Sequence, residues 1–336
     1  MRKRVHVLGL HERAYAYYAI YSLLAVCGLV LSLFIITVTD NPWLQALNAV
    51  FFGFVSVQIG MLGHDLSHGQ VFKSSFANRT AALFAWALIG GLSESKWYEK
   101  HSEHHESPNH IGHDPDLEIP FVFDEKQIPD RSLFFKKWIL PHQHVLFFAT
   151  LPFIYITWIM FGMRHIFYNF TLRASFELFL MILHFVGLFY ITFAFLPPMV
   201  AIIFLAVVFC VSGAYMSLVF APNHKGEDIL GEDEEGSWLH QIILTRNLYP
   251  SMFIFHVFGG LNLQIEHHLF PNMPRINYVQ AQKQVKQFCS ENQIEYSETS
   301  FFDSMKEIYV SLKEVAHAPK LAIVQPKEVF QKVDSE

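Results

Sequence analysis

The chain has 336 residues, of which 52% are apolar and only 16% charged, a balance that excludes an ordinary soluble domain and suits a lipid environment. Its formal charge of −6 comes largely from one acidic stretch, Glu227 to Glu235, and no large basic patch accompanies it, which argues against nucleic acid as a partner. Cys27, Cys210 and Cys289 are scattered, so neither a disulfide framework nor a CxxC metal site is encoded.

The chain opens on MRKRVHVLGLHER, with no small-residue cleavage site before the first apolar run, which therefore reads as a retained anchor. A membrane span takes about 20 mainly apolar residues. Residues 15–39 and 43–62 meet that test, and the connector Thr39-Asp40-Asn41-Pro42 between them carries no Lys or Arg. The run Ala81–Gly91 is too short to span and is bracketed by Arg79 and Lys96. Val145–Met163 is long enough but holds Pro152, with Lys136 and Lys137 before it and Arg164 and Arg173 after. Residues 175–195 and 198–220 meet the test again, joined by the uncharged Leu196-Pro197-Pro198. Because short loops rich in Lys and Arg stay in the cytoplasm, the pattern predicts an all-α membrane protein. Its four transmembrane helices form two hairpins inserted from the cytoplasm, and the two ambiguous runs are interfacial or re-entrant. Residues 63–174 and 221–336 then form a cytoplasmic cap within a single domain, 1–336. The acidic loop reads as solvated, and the Lys-, Glu- and Gln-rich end as a soluble part of the cap, with a helix near Tyr278 to Gln293.

Nineteen histidines is a high count, and the informative ones are grouped as His64-Asp-Leu-Ser-His68, His101-Ser-Glu-His104-His105 and Gln264-Ile-Glu-His267-His268. On a helix, positions i, i+3 and i+4 share a face, so each group presents two or three imidazoles together. All three fall on the cytoplasmic side of the predicted topology, as one shared site requires. A catalytic zinc uses about three protein ligands and a structural zinc four, so seven imidazoles exceed one zinc site and suit two ions. Imidazole accepts Zn, Cu, Fe or Ni, leaving the element open. His224, just beyond the last span, is an eighth candidate, and Asn223 a further candidate ligand. Metal-bound imidazoles donate their other N–H to a carboxylate or carbonyl, and Asp65, Glu103, Glu106, Asp114, Asp116 and Glu266 are interleaved with the groups. His110 and His113 form a secondary pair of candidates. The lone histidines His6, His11, His142, His165, His184, His240, His256 and His317 read as packed or solvated residues.

The segments GHDLSHGQVF, KWYEKHSEHHESPNHIGHDPDLEIP, FAPNHKG and GGLNLQIEHHLFPNMPR, from about His64 to Arg275, resemble the integral-membrane fatty-acid desaturases. The likeness is to the branch whose third histidine box begins with Gln, front-end enzymes and their bacterial relatives. The resemblance implies two non-haem iron ions, O2 as co-substrate, and a cis double bond placed in the acyl chain of a lipid or acyl-CoA. It carries His64, His68, His101, His104, His105, His267 and His268 over as ligands, with His224 beside them and Gln264 where other branches have His. The sequence contains no His-Pro-Gly-Gly haem motif, so electrons are expected from a separate ferredoxin or cytochrome b5 with its reductase. A bacterial inner membrane or the endoplasmic reticulum is the expected location. An unactivated methylene offers no proton to a side-chain base and no carbonyl to polarise, so a metal–oxygen oxidant must do the hard step. Lys96, Lys100 and Arg246 are candidates for holding a head group at the cytoplasmic face. The closest rival is a membrane di-iron hydroxylase or ketolase on the same scaffold; a membrane zinc hydrolase and a metal transporter are more distant. A transporter should carry ionisable residues within its spans, and His184 is nearly alone there.

Overall fold

The structure is a computed structural model that describes residues 1–323. Helix α1 (Arg2–Val7) leads into α2 (Tyr15–Val38) and α3 (Pro42–Ser67), a long apolar hairpin. α4 (Ser75–Leu83) runs into a π-helical turn at Phe84–Ile89, and α5 (Glu94–Glu106) carries the second histidine group. A compound stretch follows: a 3-10 turn that holds Pro141 precedes α6 (Gln143–Thr150), and a second that holds Pro152 separates it from α7 (Ile154–Tyr168). α8 (Leu172–Phe195) and α9 (Pro198–Phe220) form the second long hairpin. The remainder consists of α10 (His240–Ile243), α11 (Met252–Val257), α12 (Gln264–Leu269), α13 (Tyr278–Asn292) and α14 (Phe301–Ile323). Strands β1 (Asn247–Leu248) and β2 (Glu298–Thr299) pair in parallel, tying the end of the cap to the third histidine group.

Local chemistry sets the hairpin ends. The Asn41 side chain accepts from Trp43 N at 3.0 Å and Leu44 N at 3.1 Å, with Pro42 in the first turn, so α3 starts on a strong cap. Within the hairpin, Ser32 Oγ donates to Asn48 Oδ1 at 2.6 Å and Gln45 Nε2 donates to the Thr39 carbonyl at 2.7 Å. Such contacts substitute for the hydrophobic drive that lipid cannot provide between helices. α8 is held near its start by the buried Glu177, whose Oε1 accepts from Ser93 Oγ at 2.6 Å and Ser95 N at 3.1 Å, fixing the beginning of α5.

Among the described residues, five stretches are long and apolar enough to cross a membrane, the fifth being Phe135–Tyr168. The sequence pattern predicts four. The difference lies in the proline turns: α6 and α7 have 8 and 15 residues, each short of the roughly 20 a span needs, yet together they pass on length and composition. α3 also runs beyond the expected span end at residue 62 to Ser67, so His64 sits within its last turn. The helix expected near Tyr278 to Gln293 is present as α13, ending at Gln293 in the left-handed region.

The turn at Pro152 is pressed into α9. A Cβ on Gly213 would lie 2.2 Å from the Pro152 carbonyl oxygen, so only glycine allows this approach. Gly187, on α8, faces open space. Gly213→Ala is expected to cost about 1–3 kcal/mol, the usual penalty of overpacking, and to lower the melting temperature in detergent, whereas Gly187→Ala leaves it unchanged. Equal melting of the two variants would contradict this packing.

Candidate metal centre

Four chain segments converge beneath the long helices. α3 ends with His64 in its final turn and His68 as its C-cap, whose backbone N–H donates to the His64 carbonyl. α5 starts on Ser93, whose Oγ accepts from Lys96 N at 3.2 Å, and presents His101, His104 and His105 along one side. His224 follows the 3-10 turn that closes α9, and α12 supplies Gln264, His267 and His268.

The eight imidazoles fall into two groups. In the first, Nε2 of His101 lies 2.9 Å from Nε2 of His68 and 3.0 Å from that of His105, which is 3.0 Å from Nε2 of His267. The ring of His64 lies 4.7 Å from those of both His68 and His267. In the second group, His104 Nε2 lies 3.3 Å from His224 Nε2, and the His268 ring is 5.1 Å and 4.9 Å from those two rings. The Gln264 amide nitrogen lies 2.9 Å from His224 Nε2 while its Oε1 is buried without a protein partner. Asn223 is fully buried; its nitrogen donates to the carbonyls of Val219 and Leu261, leaving Oδ1 without a partner. The rings of His105 and His268 stack at 4.3 Å and join the groups.

The donor chemistry fits cations. Nδ1 of His104 faces both Asp114 oxygens at 3.0 Å, Nδ1 of His268 faces Gln241 Oε1 at 2.8 Å, and Nδ1 of His64 faces Asp65 Oδ1 at 3.3 Å. These acceptors place the ring proton on Nδ1, so each Nε2 carries a lone pair. Lone pairs about 3 Å apart repel, and Nε2 of His64 and His268 are buried with no protein partner. A positive ion within each group would take up these Nε2 lone pairs, while Nδ1 of His105 and of His224 also lacks a protein partner. Burial, followed by the neighbouring imidazoles, holds His101, His105, His267, His268, His224 and His68 well below the usual histidine value, so they stand ready as neutral ligands. His104 is the exception: burial pushes it down, but Asp114 and Asp116 outweigh burial and raise it.

Other expected residues sort by their contacts. Asp65 and Asp114 do face imidazoles, and Asp116 lies 3.6 Å from His104 Nδ1. Glu266 instead accepts from Asn247 and Tyr296, while Glu103 and Glu106 are exposed. His110 and His113 pack on each other, ring to ring at 4.3 Å, outside both groups. Arg246, expected to contact a head group, is instead buried and occupied: it donates to the carbonyls of Pro222 and Lys225 and pairs with Glu227 and Glu307. Lys96 pairs with Glu99 at 2.7 Å, and Lys100 pairs with Asp116. Sequence reasoning missed Gln241 and Tyr278, whose OH lies 3.0 Å from His267 Nδ1. Neither sits in a histidine group, and only the need for a partner at each Nδ1 could have prompted a search for them.

A family model described as fatty acid desaturase matches residues 41–300. This chain belongs to the fatty acid desaturase family. It is 32% identical over 274 residues to a Delta(6)-fatty-acid desaturase of Caenorhabditis elegans, covering 77% of this chain and 62% of that protein. A Delta(5) fatty acid desaturase of the same organism is 31% identical, covering 76% of this chain and 60% of the relative. A Homo sapiens protein named fatty acid desaturase 3 is 31% identical, with 84% and 64% covered. The chain thus spans less than two thirds of the length of these relatives.

A small apolar cavity, a slot of about 20 Å³, lies between α3, α7, α9 and the π-helical turn, with no histidine in its lining. Gly60, Met61, Trp86, Tyr155 and Met216 line it, with Phe220, whose ring is 6.5 Å from that of His64. Trp86 stacks on Trp97 at 4.8 Å and Trp97 on His101 at 4.3 Å, so one wall of the slot is continuous with a ligand candidate.

Asp114 also accepts from Asn109 N at 2.7 Å and Asp116 N at 2.8 Å, so it is held before it holds His104. Asp114→Asn keeps the shape but removes the charge. It should weaken metal affinity by about 10–100-fold, read as metal retained after dialysis against graded chelator, with helicity by circular dichroism unchanged.

Proposed function

We propose that the protein is an O2-dependent fatty-acyl desaturase whose eight histidines hold two iron ions. The observation that carries this reading is the convergence of eight imidazoles from four chain segments into two adjoining groups. His64, His68, His101, His105 and His267 would hold one iron. His104, His224 and His268 would hold the other, with Gln264 and Asn223 completing its surroundings. When bound, the irons supply an oxidant drawn from O2 strong enough for a methylene C–H. The protein's own residues position the substrate and exclude water. The slot, about 20 Å³ as it stands, would have to widen to take the acyl tail, with Trp86 and Phe220 as walls between the tail and the first group. The overall balance removes two hydrogens from adjacent methylenes and, with two external electrons and two protons, turns O2 into two waters.

The membrane arrangement proposed is the two-hairpin one, α2–α3 and α8–α9, with the centre cytoplasmic and Phe135–Tyr168 lying along the interface. The proline turns support that placement, because they leave neither half long enough to span. A lipid or acyl-CoA is the proposed substrate, and a ferredoxin or cytochrome b5 with its reductase the electron source.

Expression in a host with a simple lipid profile tests the reaction. Lipids lacking two hydrogens, with one new double-bond position, are expected; a gain of one oxygen would transfer the assignment to a hydroxylase. Purified protein should hold about two irons per chain, and a single zinc would refute the reading. His104→Ala or His268→Ala should abolish the new lipid and lower iron while the protein still accumulates. Gly60→Leu, which places a side chain into the slot beside Trp86, should leave iron intact and suppress the product. A reporter fused after Met163 is expected to give a cytoplasmic signal and one after Thr39 the opposite.

A further inference from the structure

Beside the metal centre the cap surface is concave and basic. Two adjoining open depressions share His6 and His11: one is lined by Arg2, Leu269, Phe270 and residue His68, the other by Arg13, Tyr15 and Lys73. His68 is one of the partly exposed ligand candidates, whereas His64, His104, His224, His267 and His268 are buried. The depression therefore has a candidate ligand in its lining. The rim is firmly built. α1 packs Val5 against the cap core that includes Ile265 and Val285, Arg4 grips Glu291 at 2.9 Å, and Arg13 donates to the carbonyls of Gln70 and Asn272 at 3.1 Å. Arg2, His6 and Lys73 enter no ion pair among the described residues, and Glu12 is the one acid lining either depression. On a chain of net charge −6 this is local charge of the opposite sign.

We propose that this rim docks an acidic one-electron carrier protein, bringing its redox group close to His68. The inference rests on the desaturase reading, which takes two electrons from outside per double bond; two successive docking events, each oxidising one carrier by one electron, supply them. A positive rim facing a negative partner speeds encounter and makes it salt-sensitive. The lining that includes a candidate ligand favours a redox partner over an anionic membrane, which has no use for that proximity.

The test uses the full-length, iron-loaded protein in zwitterionic nanodiscs, with a plant-type ferredoxin as the probe and association rate as the readout. The double variant Arg2→Glu, Lys73→Glu should slow association about tenfold or more at low salt and flatten its salt dependence, with iron content unchanged. Lys137→Glu, Lys306→Glu makes the same charge change elsewhere and should associate like the parent protein. Parent-like association of the rim variant would overturn the proposal. So would a rim variant that loses only its binding to anionic nanodiscs, since the surface would then be a membrane anchor. If the rim variant docks normally while the parent makes double bonds, docking alone fails. If the parent docks but its host makes no double bond, the desaturase reading fails instead.

Discussion

The buried ion pair between Asp65 and Arg275 is the contact on which the centre's architecture turns. Arg275 Nε lies 3.1 Å from Asp65 Oδ2, and each side chain is about 1% exposed. The same carboxylate faces His64, while the guanidinium donates to Tyr17 OH and the Gly259 carbonyl and sits 4.2 Å over the Tyr21 ring. One charged pair therefore joins α2, the end of α3, and the loops flanking the third histidine group. Burying two charges is costly, and losing either partner leaves the other uncompensated, worth roughly 3–5 kcal/mol. That asymmetry makes the pair a poor source of net stability but a strict constraint on register. Gly259 is part of the constraint: at φ +59, a Cβ there would lie 2.7 Å from the Arg275 guanidinium.

The histidine groups were legible because their geometry is local. HxxxH and HxxHH define a helical face by themselves, and α3 and α5 realise it. Their orienting partners were only half legible. Asp65 adjoins its histidine, and Asp114 lies ten residues from His104, but Gln241 is 27 residues from His268 and reaches it through the cap. Arg246 shows the converse failure. An arginine near a membrane boundary resembles a head-group anchor in sequence, and only the folded loops reveal that the Pro222 and Lys225 carbonyls take up its donors. The span count was uncertain for a physical reason: hydropathy averages across the turns at Pro141 and Pro152, while the backbone does not.

The two imidazole groups differ in electrostatic setting. Asp65, already neutralised by Arg275, is the carboxylate facing the first group. The second faces Asp114 and Asp116, with Lys100 and Lys225 set against them. Burial alone would push Asp116 up, yet Lys100 first, and then His104 and Lys225, hold it well below the usual carboxylate range. His104 consequently sits in a more negative field than any imidazole of the first group.

That difference bears on Gln264. An amide carbonyl is a weaker donor than imidazole, and a site with three imidazoles and one amide would be the poorer of the two were it not for the adjacent carboxylates. Asp114 faces His104 Nδ1, which raises the basicity of the opposite Nε2 and would offset part of what an amide ligand lacks. The Gln-type third group and the Asp114–Asp116 pair are best read as one electrostatic unit: fewer imidazoles, compensated by nearby negative charge that the other group does without.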